Sequence, residues 1–250
     1  MNDLEYLDLI NEIGVLLLKS GSEIYRVEES ITRMCQAKGF KNVEIFAIPT
    51  YYTLSLTLSD GTLYNKSIRS RSNRVNLDRL HALNDLVRRI SDNKLTQEQI
   101  KEELEDIKSL KLNFPFIFIG YILCSSMFCV FFGGSFKEMI LAGIIGAGLF
   151  IVIYMMERLD INSIARTLLA SMFLSSIAIT AKNLSLIENQ AATIIGVLMC
   201  LVPGIAITNS LRDVISGDFV SGVSRLVEAL LIATSIAVGV GFMMTILGGA

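Results

Sequence analysis

Near the end of this 250-residue chain, the stretch "LVPGIAITNSLRDVISGDFVSGVSRLVEA" sets ionisable and amide side chains into otherwise apolar sequence. Asn209, Arg212 and Asp213 fall at i, i+3 and i+4 on one helix face, Arg225 and Glu228 stand three apart, and Asp218 lies between the two groups. An arginine grips a carboxylate through its planar fork. Acids beside it can balance that grip or release it by taking up a proton. Just upstream, Pro203 and Gly204 interrupt the apolar run, and proline both lacks an N–H and clashes with the preceding turn. Two readings stand side by side. In one, a helix broken at membrane depth exposes backbone groups that bind ions and carboxylates. In the other, Pro203 makes a plain kink while Arg212 and Arg225 are boundary anchors paired to Asp213 and Glu228.

Other chemistry finds little support. His81 is the single histidine and sits on a helical surface pattern; no G-x-S-x-G elbow and no glycine-rich phosphate loop is present. Cys35, Cys124, Cys129 and Cys200 lack ligand or framework spacing, so neither a metal site nor disulfides are expected, and no cofactor is implied. A net charge of −2 without a basic stripe points away from nucleic acid. An enzyme is not expected. A membrane-anchored enzyme or sensor with its activity in the polar part is the alternative.

The elements that must position these residues follow from composition. Apolar residues make up 52% and charged ones 18%, with mean hydropathy +0.55, values that indicate a membrane protein. The charges are unevenly spread, since only thirteen of the Asp, Glu, Lys and Arg residues lie beyond Asn113. Two domains are therefore expected: a polar α+β domain at 1–112 and an all-α membrane domain at 113–250. The chain opens "MNDLEYLDLINEIGVLLLKSG", acidic first and without a secretory leader pattern.

In the polar domain, Leu4, Leu7, Ile10, Ile13 and Leu17 predict an amphipathic helix stopped at Ser20-Gly21. A second helix runs to Gly39, and along it Glu23, Arg26 and Glu29 stand at i, i+3 and i+6 as either a solvated charged face or an interface or ligand motif. "NVEIFAIP", "YTLSLTLS" and "TLYNKSI" predict a small antiparallel sheet with a turn at Asp60-Gly61. Two further helices are predicted, one at about 76–90 with Leu77, Leu80, Leu83 and Val87 on one face, the other at about 96–110 opened by a Thr96–Gln99 capping box.

Five apolar stretches follow at about 114–134, 139–156, 164–181, 191–211 and 223–247, each near the roughly 20 residues that span a bilayer. Lys108, Lys111, Arg158, Arg166, Arg212 and Arg225 would lie on one side, with Lys137 and Lys182 on the other. That asymmetry predicts a cytoplasmic N-terminal domain in the cell (inner) membrane and an outer C-terminus. Gly143 with Ala147, and Gly239 with Gly241, suggest close helix packing in a bundle or oligomer.

Two long motifs carry a resemblance. "SGSEIYRVEESITRMCQAKG" with the "IPT" at Ile48 to Thr50, and "LVPGIAITNSLRDVISGDFVSGVSRLVEALL", resemble the two signatures of the threonine/serine exporter family, in order and at similar separation. The resemblance implies a cytoplasmic domain joined to about five spans, and efflux of small carboxylates: threonine and serine, or succinate in some members. It also implies the larger subunit of the split form, with a small separate membrane subunit as partner in the lipid bilayer. Matching positions are Glu23, Arg26 and Glu28 in the first signature, and Pro203, Gly204, Asn209, Arg212, Asp213, Asp218, Arg225 and Glu228 in the second. From these residues the expected function is ion-gradient-driven export, with Arg212 and Arg225 holding the substrate carboxylate.

Overall fold

A computed structural model describes residues 3–70, 75–110 and 113–248. The chain divides into two compact units, one formed by Met1–Leu112 with Thr208–Arg225, the other by Asn113–Ile207 with Leu226–Ala250. The segment 208–225, which the hydropathy pattern assigned to the membrane part, thus belongs with the N-terminal residues. Lys111 lies outside the described residues.

In the first unit, α1 (Asp3–Lys19) ends where the pattern predicts, because Gly21 takes a φ of +88° and the Ser22 N–H reaches back to Leu17 O at 3.1 Å. Helix α2 (Ile24–Ala37) closes at Gly39, also at a φ of +88°. The antiparallel sheet follows in the order β1 (Lys41–Ile48), β2 (Tyr51–Thr57), β3 (Leu63–Arg69). Strand period puts Tyr52, Leu54 and Leu56 of the central strand on one buried face. They pack into one core with Leu7, Ile10, Ile13 and Leu17 of α1 and Val27, Ile31 and Met34 of α2. A buried Asn11 on α1 ties the layers together: the Tyr52 hydroxyl donates to its carbonyl at 3.1 Å, and its own amide donates to Tyr64 Oη at 2.9 Å.

Helix α3 (Leu77–Ser91) starts on an Asn76 cap, and α4 (Gln97–Ser109) on the expected Thr96–Gln99 box. The predicted apolar face of α3 shifts by a turn. Leu77 is 61% exposed, and Leu83, Leu86, Val87 and Ile90 form the buried stripe. Leu4 of α1 is likewise exposed, lying one turn outside the core.

The second unit corrects the count of five spans. Among the described residues four helices are long and apolar enough to cross a membrane: α5 (Phe114–Phe131), α6 (Phe136–Arg158), α7 (Ser163–Asn183) and α10 (Phe219–Leu247). The stretch expected as one span at 191–211 is two short helices, α8 (Gln190–Leu198) and α9 (Gly204–Ile215). Pro203 supplies the reason, since without an N–H it cannot continue the ladder of α8.

Small residues set the packing. A Cβ on Gly143 would meet Ser126 Oγ at 2.5 Å, and one on Gly146 would meet Tyr121 O at 2.7 Å, so α6 lies hard against α5 through this pair rather than through Gly143 and Ala147. Gly239 of α10 approaches Leu168 O and Ser171 of α7, whereas Gly241 faces open space. Arg166, near the start of α7, pairs with Glu157 at 3.2 Å.

At the end of this unit where α5 finishes and α6 begins, the Glu138 carboxylate is 2% exposed and accepts three backbone N–H groups: Ser135 at 2.5 Å, Glu188 at 2.8 Å and Asn189 at 2.7 Å. It therefore staples the α7–α8 connection to the start of α6. Glu138→Ala is expected to destabilise the unit by about 3 kcal/mol, because buried donors left unpaired cost about 1–3 kcal/mol each and water recovers part of that. Glu138→Gln, which keeps one acceptor oxygen, should lose about half as much. Thermal unfolding of the detergent-solubilised protein reads both.

Candidate functional site

The polar residues of 208–225 gather around the start of α2, within the first unit. Helix α2 has Glu23 at its N-cap, but the Glu23 side chain makes no capping bond. Its first N–H groups therefore need another acceptor. Asp213, 0% exposed on α9, provides it: Asp213 Oδ1 accepts the Ile24 N–H at 3.2 Å. A carboxylate at a helix N-terminus gains from the aligned backbone dipoles as well as from the bond itself.

The second oxygen of Asp213 faces Arg225 Nη1 at 3.3 Å but has no hydrogen-bond partner. Arg225, nearly buried, also donates to Ser22 O at 2.8 Å. Asn209 donates to Gly21 O at 3.3 Å. Both side chains thus satisfy carbonyls in the turn between α1 and α2. Arg212 forms an ion pair with Glu23, whose other oxygen lies 2.6 Å from Arg26 Nε, so one carboxylate is shared by two arginines.

Local sequence explains how α9 and the start of α10 can present this set. Gly217, at a φ of +97°, allows the turn, and the Asp218 N–H caps back onto Asp213 O at 2.9 Å. Ser210 Oγ donates to Gly222 O at 2.7 Å, and a Cβ at Gly222 would meet Ser210 O at 2.9 Å. Only glycine lets the two helices close this tightly.

Burial is the main electrostatic influence. It pushes the Asp213 carboxyl above the ordinary aspartate range, with Arg225 and the Ile24 N–H opposing it and Asp218 and Glu23 adding to it. Asp218 is raised by burial alone. Glu28 is raised by burial too, against the Ala47 N–H that its carboxylate accepts at 2.8 Å, with Asp218 contributing repulsion.

Of the residues singled out from sequence, Glu23, Arg26, Asn209, Arg212, Asp213 and Arg225 form one connected network, and Asp218 and Glu28 lie close enough to influence each other. Pro203, Gly204 and Glu228 belong to the second unit, and Glu228 is exposed. Glu29 pairs with Arg33 at 3.7 Å instead of extending the Glu23–Arg26 pair. Sequence reasoning missed the backbone partners Gly21, Ser22 and Ile24. An acidic N-cap that cannot cap its own helix was the one available signal. Among the described residues no cluster suits a metal ion.

Two polar motifs far apart in sequence, meeting as one network, are what a single family signature spanning the chain would contain. One family matches residues 8–247, the family described as "Putative threonine/serine exporter". The chain belongs to the threonine/serine exporter family. No curated protein and no solved structure matches it. Membership in this exporter family, together with four apolar helices, makes the chain a multi-pass membrane protein of a transport family rather than of an enzyme family. For a threonine/serine exporter the relevant ligand chemistry is a small zwitterion with one carboxylate, one ammonium and a hydroxyl.

Proposed function

We propose that the chain exports threonine, serine or a related small carboxylate, succinate included, and that Arg225 and Arg212 alternate between internal acids and the substrate carboxylate. The observation that carries this is the buried Asp213 carboxylate, docked on the α2 N-terminus and Arg225 with one oxygen lacking a hydrogen bond. It occupies a place that a ligand carboxylate would suit. Substrate would displace Asp213 from Arg225, and Asp213, already disposed by burial to hold a proton, would then take one up. That exchange links transport to a proton gradient. Asn209 and Asp218 would serve the same path as polar steps, and Glu23, Arg26 and Glu28 would hold the start of α2 in register.

Packing within the second unit supports a broken crossing. Helix α8 runs antiparallel to α5, with Gly196 against Cys129, and its C-terminal side reaches Cys200, whose sulfur is 3.3 Å from Ser125 Oγ near the middle of α5. The break at Pro203 and Gly204 therefore falls about half way along that helix, the depth at which unwound backbone serves transport sites. Lys137 and Lys182 share the end where Glu138 holds the α7–α8 connection, and Arg158 and Arg166 flank the opposite turn. With the positive-inside rule, this arrangement supports an N-terminal unit in the cytoplasm and a C-terminus outside the cell membrane. A small membrane subunit and self-assembly would complete the transporter.

Flux of L-serine, L-threonine and succinate in proteoliposomes, with serinamide as a carboxylate-free control, tests the reading. Saturable flux of a carboxylate but not of serinamide is expected, with losses of about tenfold or more in Arg212→Gln and Arg225→Gln, each verified for membrane insertion. Wild-type rates in both variants would contradict it.

A further inference from the structure

The first unit holds a second arginine-rich feature. Helices α2 and α3 pack through apolar residues at depth, but above Val87 they part to leave a cavity of about 320 Å³. Arg26, Glu29, Ser30 and Arg33 line it from α2, at i, i+3, i+4 and i+7, and Asn84 and Arg88 line it from α3 at i and i+4. Such spacing aims each helix's side chains into the same groove. A groove between packed helices is ordinarily filled with apolar side chains. This one is lined by three guanidinium groups, each paired on one side with a carboxylate, Arg26 with Glu23, Arg33 with Glu29 and Arg88 with Asp85. The arginines are only partly engaged: Arg33 lies 3.7 Å from Glu29, Arg88 lies 3.2 Å from Asp85, and each guanidinium has five donors to offer. The volume falls within the range of small-molecule sites.

We propose that this groove is a second binding site, for a small amino-acid zwitterion of the class the chain exports. Arg33 and Arg88 take the carboxylate, Glu29 takes the ammonium, and Ser30 and Asn84 face the side-chain hydroxyl. The inference rests on the export reading for its choice of ligand. Its consequence for transport runs through Arg26, which lines the groove and shares the Glu23 carboxylate with Arg212. An anion beside Arg26 competes with Glu23 for that guanidinium and leaves Glu23 to Arg212 alone. Occupancy would thus tighten Glu23 on α9 and report the internal amino-acid level to the transport network.

Isothermal titration of the full chain in detergent micelles provides the test, with L-serine as the probe and succinate and inorganic phosphate as comparison arms. Serine binding that persists in Arg225→Gln and weakens about tenfold or more when Arg33→Gln/Arg88→Gln is added to that background is the expected result, with near-wild-type melting curves for the exposed double variant. Serine binding unaffected by the double substitution would overturn the proposal, as would binding abolished by Arg225→Gln alone. Phosphate or succinate binding more tightly than serine would overturn the zwitterion assignment. Groove binding retained while Arg212→Gln and Arg225→Gln both export at wild-type rates would contradict the export reading and leave this site standing.

Discussion

Asp213→Asn is expected to reduce export by about tenfold or more while leaving the first unit folded. The substitution keeps an oxygen for the Ile24 N–H but removes the charge that faces the nearly buried Arg225. Asn is the neutral isostere of the protonated carboxyl, the form that burial favours at this position, so the loss of folding stability should be small. The pH dependence carries a separate signature. The folded-state pKa of Asp213 is raised, so the native protein binds more protons than the unfolded chain in the window above the ordinary aspartate value. Stability from this group is present below that window and is lost as pH rises through it. Asp218 and Glu28 are shifted in the same direction and add to the slope. Asp213→Asn should therefore flatten the fall in stability that the wild-type chain shows as pH rises through this window. Thermal melts from mildly acid to neutral pH read that slope.

Gly196→Ala is expected to disrupt the second unit more than any exposed substitution. A Cβ at this position would sit 2.5 Å from Cys129 N and 2.6 Å from Cys129 Cα, and these are backbone atoms that cannot swing aside. Helices α8 and α5 would have to separate, which overpacking data put at about 1–3 kcal/mol. The separation would also open the Cys200 and Ser125 contact that lies beyond it on the way to Pro203. Gly241→Ala is the matched control. Its Cβ meets nothing within 4 Å, so the melting temperature should stay level or rise slightly, as alanine favours helix by about 1 kcal/mol. Equal losses in the two variants would remove the α5–α8 contact from the account.

Local signals were legible in the sequence where the physics is local. The Thr96 and Gln99 box, the Gly21 and Gly39 helix stops and the Asp60-Gly61 turn depend on residues a few positions apart, and each lies where the pattern placed it. Hydropathy found the four long apolar helices for the same reason. It counted a fifth because a sliding apolar run cannot register that Pro203 splits it. The network at the start of α2 was legible only in part. Arg212, Asp213 and Arg225 stand out as charges in apolar surroundings, but their partners Glu23, Ile24 N and Ser22 O lie some 190–200 residues away. No periodicity encodes such a pairing. Glu138 was passed over because an acid in the first turn of a helix looks like ordinary capping, and its burial depends on Glu188 and Asn189 folding back over it. The α2–α3 groove escaped because Arg33 and Arg88, read alone, are surface arginines.

The exchange of Arg225 between Asp213 and a substrate carboxylate is the centre of this account, and serine flux in proteoliposomes with an imposed pH gradient tests it most directly. Gradient-stimulated flux is expected of the wild-type chain, with loss of that stimulation in Asp213→Asn. Flux in Asp213→Asn that still responds fully to the gradient would contradict it.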